Sequence, residues 1–170
     1  VTPHGAQQPE RFEGQILVPF CIESSLSGVE RALKPDELLW YRRTFELSEA
    51  FYGKKVILHF GAVDWQCKVW VNGKLVGTHT GGYCPFSFEI TGYINAHNNE
   101  LTVCVYDPTD EGWQQRGKQV LKTHGFWYTA TSGIWQTVWL ESVPEVYVKS
   151  LRITPEFDEA RVRIELETAL

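Results

Sequence analysis

Three rings and a scatter of carboxylates are the groups in this chain with chemistry to offer. Trp113, Trp127 and Tyr128 lie in or beside loops rather than inside strand-like runs. A sugar presents an apolar C–H face on which Trp or Tyr can stack, while its hydroxyls need polar partners close by. Trp40, Trp65, Trp70, Trp135 and Trp139 fall within strand-like runs, where packing is the plainer use of a ring. Metal chemistry finds little support. Cys21, Cys67, Cys84 and Cys104 show no Cys-x-x-Cys spacing, and His59, His79 and His124 share no ligand-like spacing with acids. No metal and no cofactor is therefore expected. The four cysteines allow three pairings or none, and spacing does not choose among them.

The elements that must hold these groups are strands. In Gly125 to Glu141, an aromatic and turn-forming half leads into an alternating half. Ile134, Gln136, Val138 and Leu140 point one way, and Trp135, Thr137, Trp139 and Glu141 the other. Trp40 to Leu47, Lys55 to Phe60, Phe86 to Ile90 and Leu101 to Tyr106 also read as strands. The clearest hairpin runs from Lys68 to Thr78 around Asn72-Gly73, a pair that supplies the two positive φ angles of a type I′ turn. A strand from Val63 to Val71 places Cys67 on the buried face with Val69 and Val71. Ser48 is placed to cap a short helical turn. Asp107 to His124 has no core period, and irregular stretches of that length are usually functional or disordered. About seven short strands with almost no helix specify an all-β, antiparallel β-sandwich. After Pro144 the pattern restarts, with Val146 to Ile153 and Ala160 to Leu166 reading as two more strands. The expected division is 1–143 for one sandwich and 144–170 for a linker and the start of a second, cut short or packed elsewhere.

Composition limits the partners. The net charge of -5 and pI near 5.5 argue against a nucleic-acid surface, since little basic charge faces phosphates. No apolar run approaches the ~20 residues of a membrane span, so no membrane partner is expected. The compartment stays open, with a periplasmic or secreted location preferred to the cytoplasm. At 170 residues, the chain can bury a core without a metal or disulfide staple.

Several segments taken together resemble one known family. WYRRTFEL at 40–47, GAVDWQCKVWVNGKLVGTHTGGYCPFSFEIT at 61–91 and TSGIWQTVWLE at 131–141, in that order, are similar to the N-terminal domain of glycoside hydrolase family two. The similarity runs from about Val18 to Glu141, and with RGKQ at 116–119 it looks most like a β-galactosidase-like bacterial branch. The resemblance implies a jelly-roll, galactose-binding-domain-like sandwich, then an immunoglobulin-like sandwich, then a (β/α)8 barrel that carries both catalytic glutamates. Neither glutamate would lie here. The partners implied are a β-linked glycoside and the catalytic barrel of the same parent chain. The family's domain usually opens with a Trp-containing strand that Val1 follows or interrupts, so both ends look trimmed.

The resemblance also nominates carboxylates. In β-galactosidase members, loops of this domain supply an aspartate that shapes the substrate site, and the matching loop opens at Asp107 and contains Asp110. Asp107 could accept two sugar hydroxyls, or else cap its own turn before Pro108. Glu23, in the early loop, could do the same, or else accept backbone N–H groups. Retaining hydrolysis needs two carboxyls about 5–5.5 Å apart, and no spacing among the 21 acids singles out such a pair, so no catalytic residue is assigned. Arg42 and Arg43 lie on opposite strand faces and favour structural pairing, whereas Arg116 and Lys118 could bind a uronate or meet the barrel. The competing function is an independent, lectin-like carbohydrate-binding module. A plain interaction sandwich stands third.

Overall fold

The structure, a computed structural model, describes residues 1–169. Among them are nine strands of four residues or more: β1 (Glu37–Phe45), β2 (Lys55–Phe60), β3 (Gln66–Val71), β4 (Lys74–Thr80), β5 (Phe86–Glu89), β6 (Asn99–Tyr106), β7 (Val138–Val143), β8 (Tyr147–Glu156) and β9 (Arg161–Ala169). The all-β sandwich expected from sequence is what forms. One sheet has the order β1-β6-β3-β4, with Thr2–Pro3 adding a short edge beside β1, and the other has the order β7-β2-β5. Every pairing within these two sheets is antiparallel.

The period-2 pattern decides which side chains meet between the sheets. Leu39 and Tyr41 of β1, Cys67, Val69 and Val71 of β3, and Val103 and Val105 of β6 face Val56, Leu58 and Phe60 of β2 in one core cluster. On the outer face, register pairs Trp40 with Cys104 and Trp70 with Thr102. The two indoles stack at 5.6 Å and cover β6 between them, which is why Thr102 and Cys104 are also buried. Arg42, on that face, sits 4.3 Å above the Phe12 ring rather than in an ion pair. Asn72 (φ 51°) and Gly73 (φ 75°) make the β3–β4 turn with the left-handed pair expected there. All four cysteines are free thiols, and Cys67 is buried as its face requires.

The structure alters three sequence readings. The Val63–Val71 strand is interrupted at Trp65: Val63–Asp64 leaves the first sheet to pair with Gly133–Ile134. The strand from Ile134 to Glu141 is likewise broken over Trp135–Thr137 before β7 begins, because the chain there crosses from one pairing to another against Gly61. Gly133 (φ +87°) is needed at that crossing, since a β-carbon would lie 2.1 Å from the Tyr41 hydroxyl. Ser48 does precede a 3-10 turn, Glu49–Phe51, but its side chain makes no capping bond.

After Pro144, β8 and β9 form a long hairpin. Leu151, Ile153, Val162, Ile164 and Leu166 are all more than half exposed on one side. The other side carries Lys149–Glu167 and Arg152–Glu165 pairs, with Glu156 between Arg161 and Arg163. An open groove of about 820 Å³ runs between the two sheets, lined by Ile16, Val18, Phe45, Leu58, Val103 and Leu140 among others. None of the residues nominated above for binding borders it.

Candidate functional site

The nominated residues gather where β6 ends and the long loop begins, and they fall into a buried root and an exposed tip. Glu23 and Asp107 meet at one residue. The Ser132 backbone N–H donates to Glu23 Oε2 at 2.9 Å, and the Ser132 hydroxyl donates to Asp107 Oδ2 at 2.7 Å. Asp107 Oδ1 also accepts the Thr109 N–H at 2.9 Å, the turn-capping bond open to an Asp before Pro108. Asp107 is only 3% exposed. Glu23 Oε1 accepts the Leu33 N–H at 3.5 Å. Both carboxylates thus satisfy protein donors, and together they tie the early loop to the late one.

Sequence reasoning passed over a third acid. Asp64 is 5% exposed, and among the described residues none donates a hydrogen bond to its carboxyl. It faces Gly82, whose missing side chain makes the room: a β-carbon there would be 2.2 Å from Asp64 Oδ1. The Gly82 carbonyl in turn accepts the Trp135 indole N–H at 2.8 Å, and the Tyr83 ring lies edge-on to Trp135 at 6.1 Å. Burial, then the negative charges of Asp107 and Glu23, push Asp64 up to about 8. The shift favours the neutral carboxyl, a form able to donate as well as accept. Burial raises Asp107 too, against the lowering effect of its bonds from Ser132 and Thr109. Burial and the same two aspartates raise Tyr83. An acid flanked by Val63 and Trp65 was the available signal, but unbroken alternation put it on the solvent face with Gln66 and Lys68.

The tip is built otherwise. Asp110, half-buried, accepts the Leu121 N–H at 3.1 Å, and its carbonyl accepts Arg116 Nη1 at 3.2 Å. Gln119–Val120 pairs in parallel with Tyr128–Thr129, closing the loop on itself. Trp113 is 93% exposed, its nearest ring partner being Trp65 at 6.5 Å, edge-on. Phe126 stacks on Trp127 at 5.0 Å, and Tyr128 is exposed. Trp135 and Trp139 go to packing and stacking, the latter on His59 at 4.8 Å. Among the described residues no group of three His, Cys, Asp or Glu side chains is arranged to hold a metal ion. Two buried carboxyls with raised pKa, Asp64 and Asp107, at the root of a loop that exposes aromatic rings have the character of a binding site.

Residues 26–144 match the family model described as "Glycosyl hydrolases family 2, sugar binding domain". The chain belongs to glycosyl hydrolase family 2. It is 38% identical over 113 residues to a β-galactosidase of Thermoanaerobacter pseudethanolicus, covering 66% of this chain and 14% of that protein. It is 30% identical over 127 residues to a β-galactosidase of Lactobacillus delbrueckii subsp. bulgaricus, covering 75% and 12%. The chain thus spans about one-seventh or less of these two family 2 enzymes. Among solved structures, Bacteroides uniformis β-glucuronidase is similar at 32% identity and a TM-score of 0.54, over 65% of this chain and 12% of that one. Faecalibacterium prausnitzii β-glucuronidase matches 99% of this chain and 33% of its own at a TM-score of 0.74 and 22% identity. That likeness carries the fold, with the β8–β9 hairpin inside the matched span. What this family 2 chain matches is the sugar-binding sandwich of its relatives.

Proposed function

We propose that this chain is the non-catalytic N-terminal domain of a retaining, β-galactosidase-like exo-glycosidase. It packs on a catalytic barrel of the same parent protein and completes one wall of that barrel's sugar site. The supporting observation is the division of the long loop. Its root is fixed by Asp107 and Glu23 through Ser132, while Trp113 and Tyr128 stand exposed at its tip, unused by the sandwich core. On this reading Trp113, Trp127, Tyr128 and Asp110 face the glycoside, and Asp107 and Glu23 hold the loop that presents them. The domain division at 143/144, with the hairpin opening an immunoglobulin-like sandwich, is supported by the family match ending at residue 144.

The test is kinetic and uses the parent enzyme. Tyr128→Ala and Trp113→Ala should each lower kcat/KM for a β-galactoside about tenfold, in keeping with loss of one stacking face, with Tm unchanged. Unaltered kcat/KM in both would overturn the reading. The 170-residue chain by itself is expected to bind galactose no more tightly than about millimolar, because most of the pocket is elsewhere. A sub-millimolar Kd would instead support an independent binding module.

A further inference from the structure

Beyond Glu111 the long loop and the strand that follows it carry a charge pattern opposite to that of the rest of the chain. From Gly112 to Leu140 there are three cations, Arg116, Lys118 and Lys122, and no Asp or Glu, within a protein of 16 basic and 21 acidic residues. The Arg116 guanidinium lies 5.9 Å from the Trp127 ring centroid and the Lys118 ammonium 5.3 Å from that of Phe126. Those two rings stack on each other, so the ring pair carries one cation from each ring. Arg116 is further fixed through its bond to the Asp110 carbonyl, which uses one of five guanidinium donors. Among the described residues no carboxylate pairs with Arg116, Lys118 or Lys122. Asp110 spends its own carboxylate on the Leu121 N–H, so cations held by rings and a carbonyl, with donors unspent and no carboxylate paired to them, form an anion site. Tyr128 beside them adds a hydroxyl and a ring face.

We infer that Arg116 and Lys118, set over the Phe126–Trp127 ring pair, bind the anionic substituent of a saccharide, a carboxylate or a sulfate ester. This rests on the reading that the loop tip faces a glycoside, and it narrows the class of glycoside. Arg supplies the planar fork that matches either anion, and Lys a second point charge.

The experiment follows the side-chain NMR signals of Trp127 and Tyr128 in the 170-residue chain. Four probes are titrated: methyl glucuronide, glucose 6-sulfate, neutral methyl glucoside and inorganic sulfate. Either anionic sugar should bind about tenfold more tightly than the neutral glycoside. The better of the two identifies the source of the anion, and inorganic sulfate should bind more weakly than glucose 6-sulfate. The preference should fall with added salt and disappear in Arg116→Gln/Lys118→Gln. Lys118→Gln alone, which leaves the Asp110 bond intact, should reduce it by part, and Arg116→Lys should fail to restore it fully. Equal affinity for neutral and anionic sugars, or a preference that survives the double substitution, overturns the inference. If the neutral glycoside still shifts Trp127 and Tyr128 in that case, the functional reading stands without it. No shift from any probe also overturns the inference, while the functional reading, which expects only weak binding by this chain alone, is judged by the kinetics of the parent enzyme.

Discussion

Gly82 lies so close to Asp64 that a β-carbon on the glycine would come within 2.2 Å of the Asp64 Oδ1. The contact ties the turn after β4 to the Val63–Asp64 segment, two places where the chain leaves regular sheet. Gly82→Ala must therefore displace a buried carboxyl, and overpacking of this kind costs about 1–3 kcal/mol. Asp64→Ala removes the obstacle, so the double variant should recover most of the loss made by Gly82→Ala. Urea unfolding of the two singles and the double measures the coupling. Gly82→Ala at wild-type stability would contradict the packing.

Asp64 should also set a pH dependence. Its folded pKa of about 8 lies above the ordinary 3.8 of the unfolded chain. Between those values the folded state keeps a proton that the unfolded state has released. Stability then falls as pH rises through that window, by up to about 1.4 kcal/mol per unit from this group. Asp64→Asn, which keeps a neutral polar group, should flatten the decline between pH 5 and 8. An unchanged slope in denaturation curves across that range would exclude Asp64 as its source.

Ser132→Ala keeps the backbone bond to Glu23 and deletes only the hydroxyl bond to Asp107. Leaving a buried carboxylate oxygen without its donor should destabilise by about 1–3 kcal/mol. Because that bond lowers the Asp107 pKa, its loss should also move the Asp107 titration upward in carboxyl NMR. A titration that stays put would show that the hydroxyl does not hold the charge.

The thiols should differ in reactivity. Burial pushes Cys67 up to about 12 and Cys104 up to about 11, while Cys84 is exposed. An aromatic disulfide reagent should label Cys84 quickly in the native chain, and Cys67 and Cys104 only on unfolding. Native labelling of either buried thiol at the Cys84 rate would argue against this core.

Regular alternation made much of the sandwich legible in sequence. Val56, Leu58 and Phe60, and Val69 and Val71, point inward as their period demands, and Asn72-Gly73 turns as its φ preferences require. What alternation could not convey is where a strand changes partners. Val63–Asp64 and Gly133–Ile134 pair with each other away from the main sheets, and this local break is what buries Asp64. The roles of Glu23 and Asp107 were open for a related reason. Whether a loop carboxylate serves a ligand or a backbone N–H depends on which distant donor arrives, here Ser132, 109 residues from Glu23. Exposure of Trp113 and Tyr128 followed more directly, since neither sits on a face that the sheets can cover.

The short parallel pairing of Gln119–Val120 with Tyr128–Thr129 has a thermodynamic consequence. It clamps both ends of the tip that bears Phe126 and Trp127, so the conformational entropy of that segment is given up during folding rather than on encounter with a ligand. Ordering a floppy loop at the moment of association typically costs about 0.5–1.5 kcal/mol for each immobilised side chain. A preorganised tip avoids most of that penalty. On the proposed reading, weak contacts from a few rings and cations can then register as discrimination between sugars.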